Sequence, residues 1–396
     1  MLDSIIRKIE DIWSLVNMKI CIVTSGYPPK IGGVETVTEN LAKEYVNLMH
    51  EVHVITPSED ATNQTITPEN IILHKIHIDK FSDAETMPIY NKIPRGILFF
   101  RRIFKNIKTI KPDIIHVQNI QNSIPVYFAK KIHKTPYCIA LHNNLELMGI
   151  ALPNFMKKYW MKLPYVKDAN AIVSLTKEMA ETVQESLQRE SDIIPNGVDI
   201  KRFYPNPTPN EERENKIILT ISRLDNKKGI EYAIESMPNI LKKYPHTILR
   251  IIGDGDFRPE LDKISESLCL QNSVEFIGQI PNSDVPDYLQ NADIFLLPSL
   301  FEGLPLTLLE SMACGLPVIS TPVSIAPEII EKWDNGIIVP FKSPEAISDA
   351  VITLLSNPDL RETYAKNSAT AAKETMSWKS VAEQYISLYQ SIIDSN

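Results

Sequence analysis

Short apolar runs rich in β-branched residues recur along the chain, separated by longer stretches with helical periodicity. One series occupies 19–24, 50–56, 113–117, 137–141 and 171–174. A second begins at 216–222 and continues through 247–253, 273–278, 292–298 and 317–320. Runs without polar alternation belong to strands covered on both faces, so their alternation with helices predicts two parallel sheets. Between the series, 204–215 has no periodicity, three prolines and many polar residues, and reads as a linker. The pattern therefore predicts α/β architecture: two Rossmann-like domains, 18–203 and 216–377, facing each other across a cleft into which both sets of strand ends open. An amino-terminal extension, 1–17, precedes them and a terminal helix, 378–396, follows.

A length of 396 residues suits two such domains, and 43% hydrophobic with 23% charged residues is the composition of an ordinary globular protein. The four cysteines, Cys21, Cys138, Cys269 and Cys314, are scattered and form no CxxC pair, which fits free thiols in a reducing compartment. No apolar run approaches the ~18 residues of a membrane span. Asp3, Glu10 and Asp11 make the first 17 residues unlike a secretory leader, so the expected location is cytoplasmic. The net charge of −8 hides a segregation: between Thr86 and Lys167 fourteen cations face only Asp113 and Glu146, a local balance of +12 against −20 elsewhere. That basic region makes an anionic membrane surface an expected partner.

Candidate chemistry gathers at predicted strand ends. Glu302 and Glu310 flank the turn from the run 292–298 into a helix predicted at 306–313, where a carboxylate can accept hydrogen bonds from sugar or ribose hydroxyls. Taken alone, the pair reads equally well as two unrelated acids at a helix start. Arg223 and Lys228 stand just beyond strand 216–222, suited to a diphosphate. Gly32 and Gly33 form a turn after the first strand but lack the GxGxxG of a nicotinamide site. His142 ends strand 137–141. Asp254 and Asp256 form an Asp-x-Asp, yet no supporting ligand set is legible, and neither metal nor cofactor is expected.

Several motifs share one order: PPKIGGVE at 28–35, DIIHV at 113–117, ALH at 140–142, IPNGVD at 194–199, ISRLDNKKG at 221–229, IIGDGD at 251–256, FIG at 276–278 and FEGLPLTLLE ending at Glu310. Together they resemble retaining glycosyltransferases of the two-domain GT-B type, family four, from about Met18 to the carboxyl terminus. The resemblance implies transfer of a hexose from a nucleoside diphosphate donor, UDP or GDP, to a saccharide or lipid-linked acceptor in surface polysaccharide or glycoconjugate synthesis, with no role for nucleic acid. It implies that His142 and Glu302 contact the transferred sugar. Glu310 would hold the ribose, and Arg223 and Lys228 the diphosphate. Gly32, Gly33, Gly253, Gly303 and Leu304 would offer backbone close to the donor, Phe276, Ile277 and Gly278 would line the base pocket, and Asn143 and Asn144 would face the acceptor. The terminal helix would cross back to the first domain.

Two departures stand out. Ser324, Ile325 and Ala326 replace a glycine-rich turn before Pro327 and Glu328, and Met49 stands where a glycine commonly ends the first long helix. Phe100, Ile103, Phe104, Ile107 and Ile110 fall at helical spacing among Arg101, Arg102, Lys105, Lys108 and Lys111. The stripe is expected to face the core while the cations stay outside, and with Lys157, Lys158 and Lys162 they would hold the chain at the inner face of a membrane. A nucleotide-sugar epimerase or hydrolase on the same fold, or a non-catalytic sugar-nucleotide-binding subunit, are the alternative readings.

Overall fold

The computed structural model describes residues 17–30, 32–58, 64–77, 89–142, 164–207 and 215–395. The expectations attached to the extension up to residue 16, to Asn143, Asn144, Lys157, Lys158 and Lys162, and to linker residues 208–214 fall outside them. The chain divides into two compact units, Met1–Pro195 with Val381–Asn396, and Asn196–Ser380. The division thus lies ahead of the proline-rich stretch, so 204–207 belong to the second unit, and the final helix Trp378–Asp394 starts in the second unit and ends in the first.

The first unit contains β1 (Lys19–Val23), β2 (Glu51–Ser58), β3 (Gln64–Ile66), β4 (Ile72–His77), β5 (Ile114–Val117), β6 (Tyr137–Ala140), β7 (Ala171–Ser174) and β8 (Asp192–Ile193). They form one sheet in the order β3-β4-β2-β1-β5-β6-β7-β8, parallel except where β3 runs against β4. β3 and β4 are additions that the apolar pattern misses, because β3 is exposed throughout and β4 mixes histidine and lysine with isoleucine.

The second unit holds β9 (Lys216–Ile221), β10 (Thr247–Ile252), β11 (Val274–Gly278), β12 (Ile294–Leu297), β13 (Val318–Ser320) and β14 (Gly336–Ile338), all parallel in the order β11-β10-β9-β12-β13-β14. Successive side chains of a strand alternate between faces, and the core divides accordingly. Leu219, Phe295, Leu297 and Val318 pack with the helices Leu306–Ala313 and Ala326–Trp333, while Ile218, Ile294, Leu296 and Ile319 pack with Ile230–Lys243 and Pro344–Ser356. Both faces are covered, which is why the central strands β9 and β12 read as nearly continuous apolar runs.

Strand order reverses at β1/β5 in the first unit and at β9/β12 in the second. In open α/β sheets a ligand crevice forms beyond the carboxyl ends of the strands at such a reversal. One polar network stands near the reversal in the first unit. His116 of β5 meets Tyr389 Oη through Nδ1 in a very short contact, Tyr389 Oη lies 2.9 Å from Tyr45 Oη, and the Tyr385 ring is 4.9 Å from the imidazole. These bonds fasten the carboxyl-terminal helix to the sheet, and burial lowers the His116 pKa to about 3, keeping the ring neutral.

Candidate donor and sugar sites at the strand reversals

In the second unit the loops after β9 and β12 meet. Leu300 N–H donates to the Lys227 carbonyl at 2.7 Å, fixing one loop on the other. Gly229 opens the next helix with φ +62°, and a Cβ there would stand 2.2 Å from the Pro298 carbonyl oxygen, so only glycine permits this approach. The consequence is that Lys228 Nζ reaches both carboxylate oxygens of Glu302 at 2.8 Å, while Ser299 Oγ donates to Glu302 Oε1 at 2.7 Å. The two charged side chains are only 20% and 10% exposed, so the pair is poorly screened.

This arrangement has spare capacity. An ammonium carries three N–H donors and a carboxylate about four acceptor sites. Lys228 uses two donors on Glu302, and Glu302 uses three acceptor sites on Lys228 and Ser299. One cationic donor and one anionic acceptor remain side by side, matched to a phosphate oxygen next to a sugar hydroxyl.

The other predicted residues are distributed around this centre. Gly253 follows β10 with φ +129°, and a Cβ would lie 1.8 Å from the Ser222 carbonyl oxygen, bringing the β9 and β10 loops together. The Gly253 N–H also donates to the Gly278 carbonyl at 2.9 Å, setting Phe276, Ile277 and Gly278 of edge strand β11 beside the same loop. The Arg258 guanidinium lies 4.0 Å from the centre of the Phe276 ring and covers it. Arg223 is not drawn into the Lys228 pair. Its side chain is 77% exposed and binds Asp225 Oδ2 at 2.8 Å. Gly303 and Leu304 lead into the helix Leu306–Ala313, and Ser324 Oγ donates to the Gly303 carbonyl at 2.5 Å. Ser324 takes φ +53°, the left-handed geometry that a glycine would favour, so the departure in sequence preserves the backbone. Glu310 lies on that helix. Burial raises its pKa to about 7, with Arg202 pulling it the other way.

In the first unit His142 follows β6, and its Nε2 bonds Gln118 Oε1, the residue following β5, in a very short contact. Burial lowers the His142 pKa to about 4, so it is neutral at neutral pH. Gly32 and Gly33 open the helix Gly33–Asn47, and a Cβ on Gly33 would meet nothing within 4 Å. Arg101 and Lys105 are exposed, and Arg102 donates to the His77 carbonyl at 2.9 Å.

Sequence reasoning passed over Ser299, Asp225, Ser222 and Gln118. Ser222 Oγ, at the end of β9, is buried without a partner among the described residues. The only available signal was position, since each lies within three residues of a predicted strand end or of Glu302. Asp254 accepts its own loop's Gly255 N–H at 2.8 Å, and no group of three possible metal ligands occurs among the described residues. A cavity of about 870 Å³ in the second unit, lined by Lys216, Asp293 and Pro317, lies at the opposite, amino-terminal edge of the sheet and is separate from this chemistry.

Two α/β units, each built on a mostly parallel sheet with polar loops at its strand reversal, have the architecture of the GT-B fold. Residues 206–371 match the glycosyl transferases group 1 and residues 31–202 the Glycosyltransferase Family 4. The chain is a family-four-type glycosyltransferase. It is 27% identical over 96% of its length to α-monoglucosyldiacylglycerol synthase of Acholeplasma laidlawii, 98% of which is covered. It is 23% identical to N-acetyl-α-D-glucosaminyl L-malate synthase of Bacillus anthracis, over 95% of this chain and 98% of that protein. The sucrose-phosphate synthase of Thermosynechococcus elongatus shares the fold with a TM-score of 0.78 at 19% identity, covering 95% of this chain and 99% of that one. Anabaena HepE in complex with UDP and glucose superposes with a TM-score of 0.72 at 18% identity, covering 94% of this chain and all of the other.

Proposed function

We propose that the protein transfers a hexose from a nucleoside diphosphate sugar, UDP or GDP, to a saccharide or lipid-linked acceptor with retention of anomeric configuration, in surface polysaccharide or glycoconjugate assembly. The observation that carries this reading is the Lys228–Glu302–Ser299 cluster, whose unused donor and acceptor suit a phosphate and an adjacent sugar hydroxyl. Two relatives named for α-linked glycosyl products, and a structural relative bound to UDP, support the linkage and the nucleotide. In the reaction the bond from the anomeric carbon to the diphosphate breaks, the acceptor oxygen bonds that carbon on the same face, and its proton passes to the departing diphosphate. Lys228 and Arg223 stabilise the leaving group, Glu302 and His142 hold the sugar, and Glu310 holds the ribose. No metal is required, because fixed cations and backbone N–H groups meet the charge.

A donor panel followed by nucleoside diphosphate release tests the reading. One donor should turn over much faster with a glycolipid or saccharide acceptor than alone, and EDTA should leave the rate unchanged. Hydrolysis independent of acceptor would favour the hydrolase reading. Activity lost in EDTA and restored by magnesium or manganese would make Asp254 and Asp256 ligands.

The acceptor class bears on location. No described helix is long and apolar enough to cross a membrane. Ile103, Ile107 and Ile110 of the helix Ile89–Ile110 are buried against the sheet, so that stripe is core. Its cations instead share a surface with the helix Ser123–His133, where Phe128 and Ile132 are 46% and 62% exposed and Phe100 meets Phe128 edge to face at 5.6 Å. Exposed apolar side chains on one helix, with Arg101, Lys105 and Lys108 exposed on the helix packed against it, fit peripheral attachment to anionic lipid at the cytoplasmic face. Salt-sensitive co-sedimentation with phosphatidylglycerol vesicles should weaken in a Phe128→Ser, Ile132→Ser double variant. Unchanged binding would remove this surface from the proposal.

A further inference from the structure

Gln118 is fully buried at the carboxyl end of β5, and its backbone N–H is tied to the Val23 carbonyl of β1 at 3.0 Å. Its side-chain oxygen is taken by His142 Nε2, while its amide nitrogen has no partner among the described residues. Two positions earlier in the strand, and so on the same face, His116 is in the same state, with Nδ1 engaged by Tyr389 and Nε2 without a partner. Leaving a buried amide N–H unpaired is unfavourable. Turning the Gln118 amide over would point that N–H₂ at His142 and call for an unprotonated Nε2, so the two orientations demand opposite tautomers of His142.

An amide oxygen only accepts, so the nitrogen facing it must carry hydrogen. A neutral imidazole has one N–H, and the hydrogen bond at one nitrogen determines the character of the other. We propose that Gln118 is a positioning residue that locks His142 as the Nε2–H tautomer, leaving Nδ1 as a lone-pair acceptor for a hydroxyl of the substrate. The lowered pKa of His142 supports this, because a ring already protonated at neutral pH would have no tautomer to select. His142 then works as a neutral acceptor that orients a hydroxyl. The assignment of substrate to His142 rests on the glycosyltransferase reading, whereas the tautomer does not.

The test uses the full chain with ¹⁵N-labelled histidine, the His142 signals being those lost in His142→Gln. Without ligand, the wild type should show a protonated Nε2 and an unprotonated Nδ1. Gln118→Met, close in volume but unable to accept, should lose that preference and lower kcat about 10- to 100-fold while donor KM stays nearly constant. Gln118→Glu keeps an acceptor oxygen, so Nε2 should stay protonated, while its negative charge should raise the His142 pKa. An Nδ1–H tautomer in the wild type, a Met variant that retains tautomer and rate or loses rate with the tautomer unchanged, or a Glu variant whose Nε2 is unprotonated would each overturn the proposal. If no donor turns over in any form, the glycosyltransferase reading fails, and the nitrogen shifts still decide the pairing.

Discussion

At the strand reversal of the first unit stand Gln118, Asn119 and His142, with His142 neutral at neutral pH. At the reversal of the second stand Lys228, Glu302, Arg223 and Asp225, all charged and paired among themselves. The sheets have the same core order, so topology does not account for the difference. Residue choice at corresponding strand ends makes one reversal polar without fixed ion pairs and the other a cluster of ion pairs, which under the proposed function suits the first to hydroxyls and the second to an anion. A diphosphate loses hydration on binding and needs fixed charge in return, while a hydroxyl needs only a correctly oriented donor or acceptor.

The sharpest attempt to break this comparison removes the carboxylate at its centre. Glu302→Ala should lower kcat by about 100-fold or more and leave affinity for free nucleoside diphosphate nearly intact, because the role proposed for the carboxylate is on the sugar and Lys228 is retained. Glu310→Ala should do the reverse, weakening nucleoside diphosphate binding by about 1–3 kcal/mol. Calorimetric titration of both variants decides it. Equal loss of nucleotide affinity would end the assigned division of labour.

A smaller effect comes from pH. Burial raises the Glu310 pKa from 4.5 to about 7, so the folded state holds a proton that the unfolded state has released between those values. Stability should therefore be fully present below pH 4.5 for this group and be lost as pH rises toward 7. Glu310→Gln should be more stable than the parent at pH 8 by on the order of 2 kcal/mol, with little difference at pH 5. Parallel denaturant curves that show no pH-dependent gap would mean that Glu310 is ionised in the fold. Ribose binding should instead tighten as pH rises through 7, since the carboxylate is the better acceptor.

The smallest effect compares one turn from each unit. Met49 and Ser324 both take left-handed backbone, φ +67° and +53°. Met49 ends its helix with His50 N–H bonded to the Tyr45 carbonyl and is 65% exposed, so its side chain does little for the fold. Met49→Gly should raise stability by about 1 kcal/mol. Ser324→Gly relieves the same backbone cost but deletes the bond to Gly303, and its net change should be near zero. Thermal melts of the two variants that move together would show the hydroxyl bond to be idle.

Sequence by itself determined the buried strands, because a parallel sheet covered on both faces demands the unbroken apolar runs seen at Ile217–Ile221 and Ile294–Leu297. It also placed Lys228, Glu302 and His142 in the loops that follow such runs, and strand ends are the edges that loops leave open. The exposed strand β3 and mixed β4 were not legible, because their side chains carry no strong burial pattern. Only the tertiary structure decided the partners. Lys228 and Glu302 lie 74 positions apart and meet because β9 and β12 are neighbours in the sheet. Arg223, close to Lys228 in sequence, is turned to Asp225 by the local loop. Gln118 finds His142 because β5 pairs with β6. Apolar periodicity is set by burial along one segment and can be read from it, whereas a hydrogen bond depends on two segments and on the sheet order that joins them.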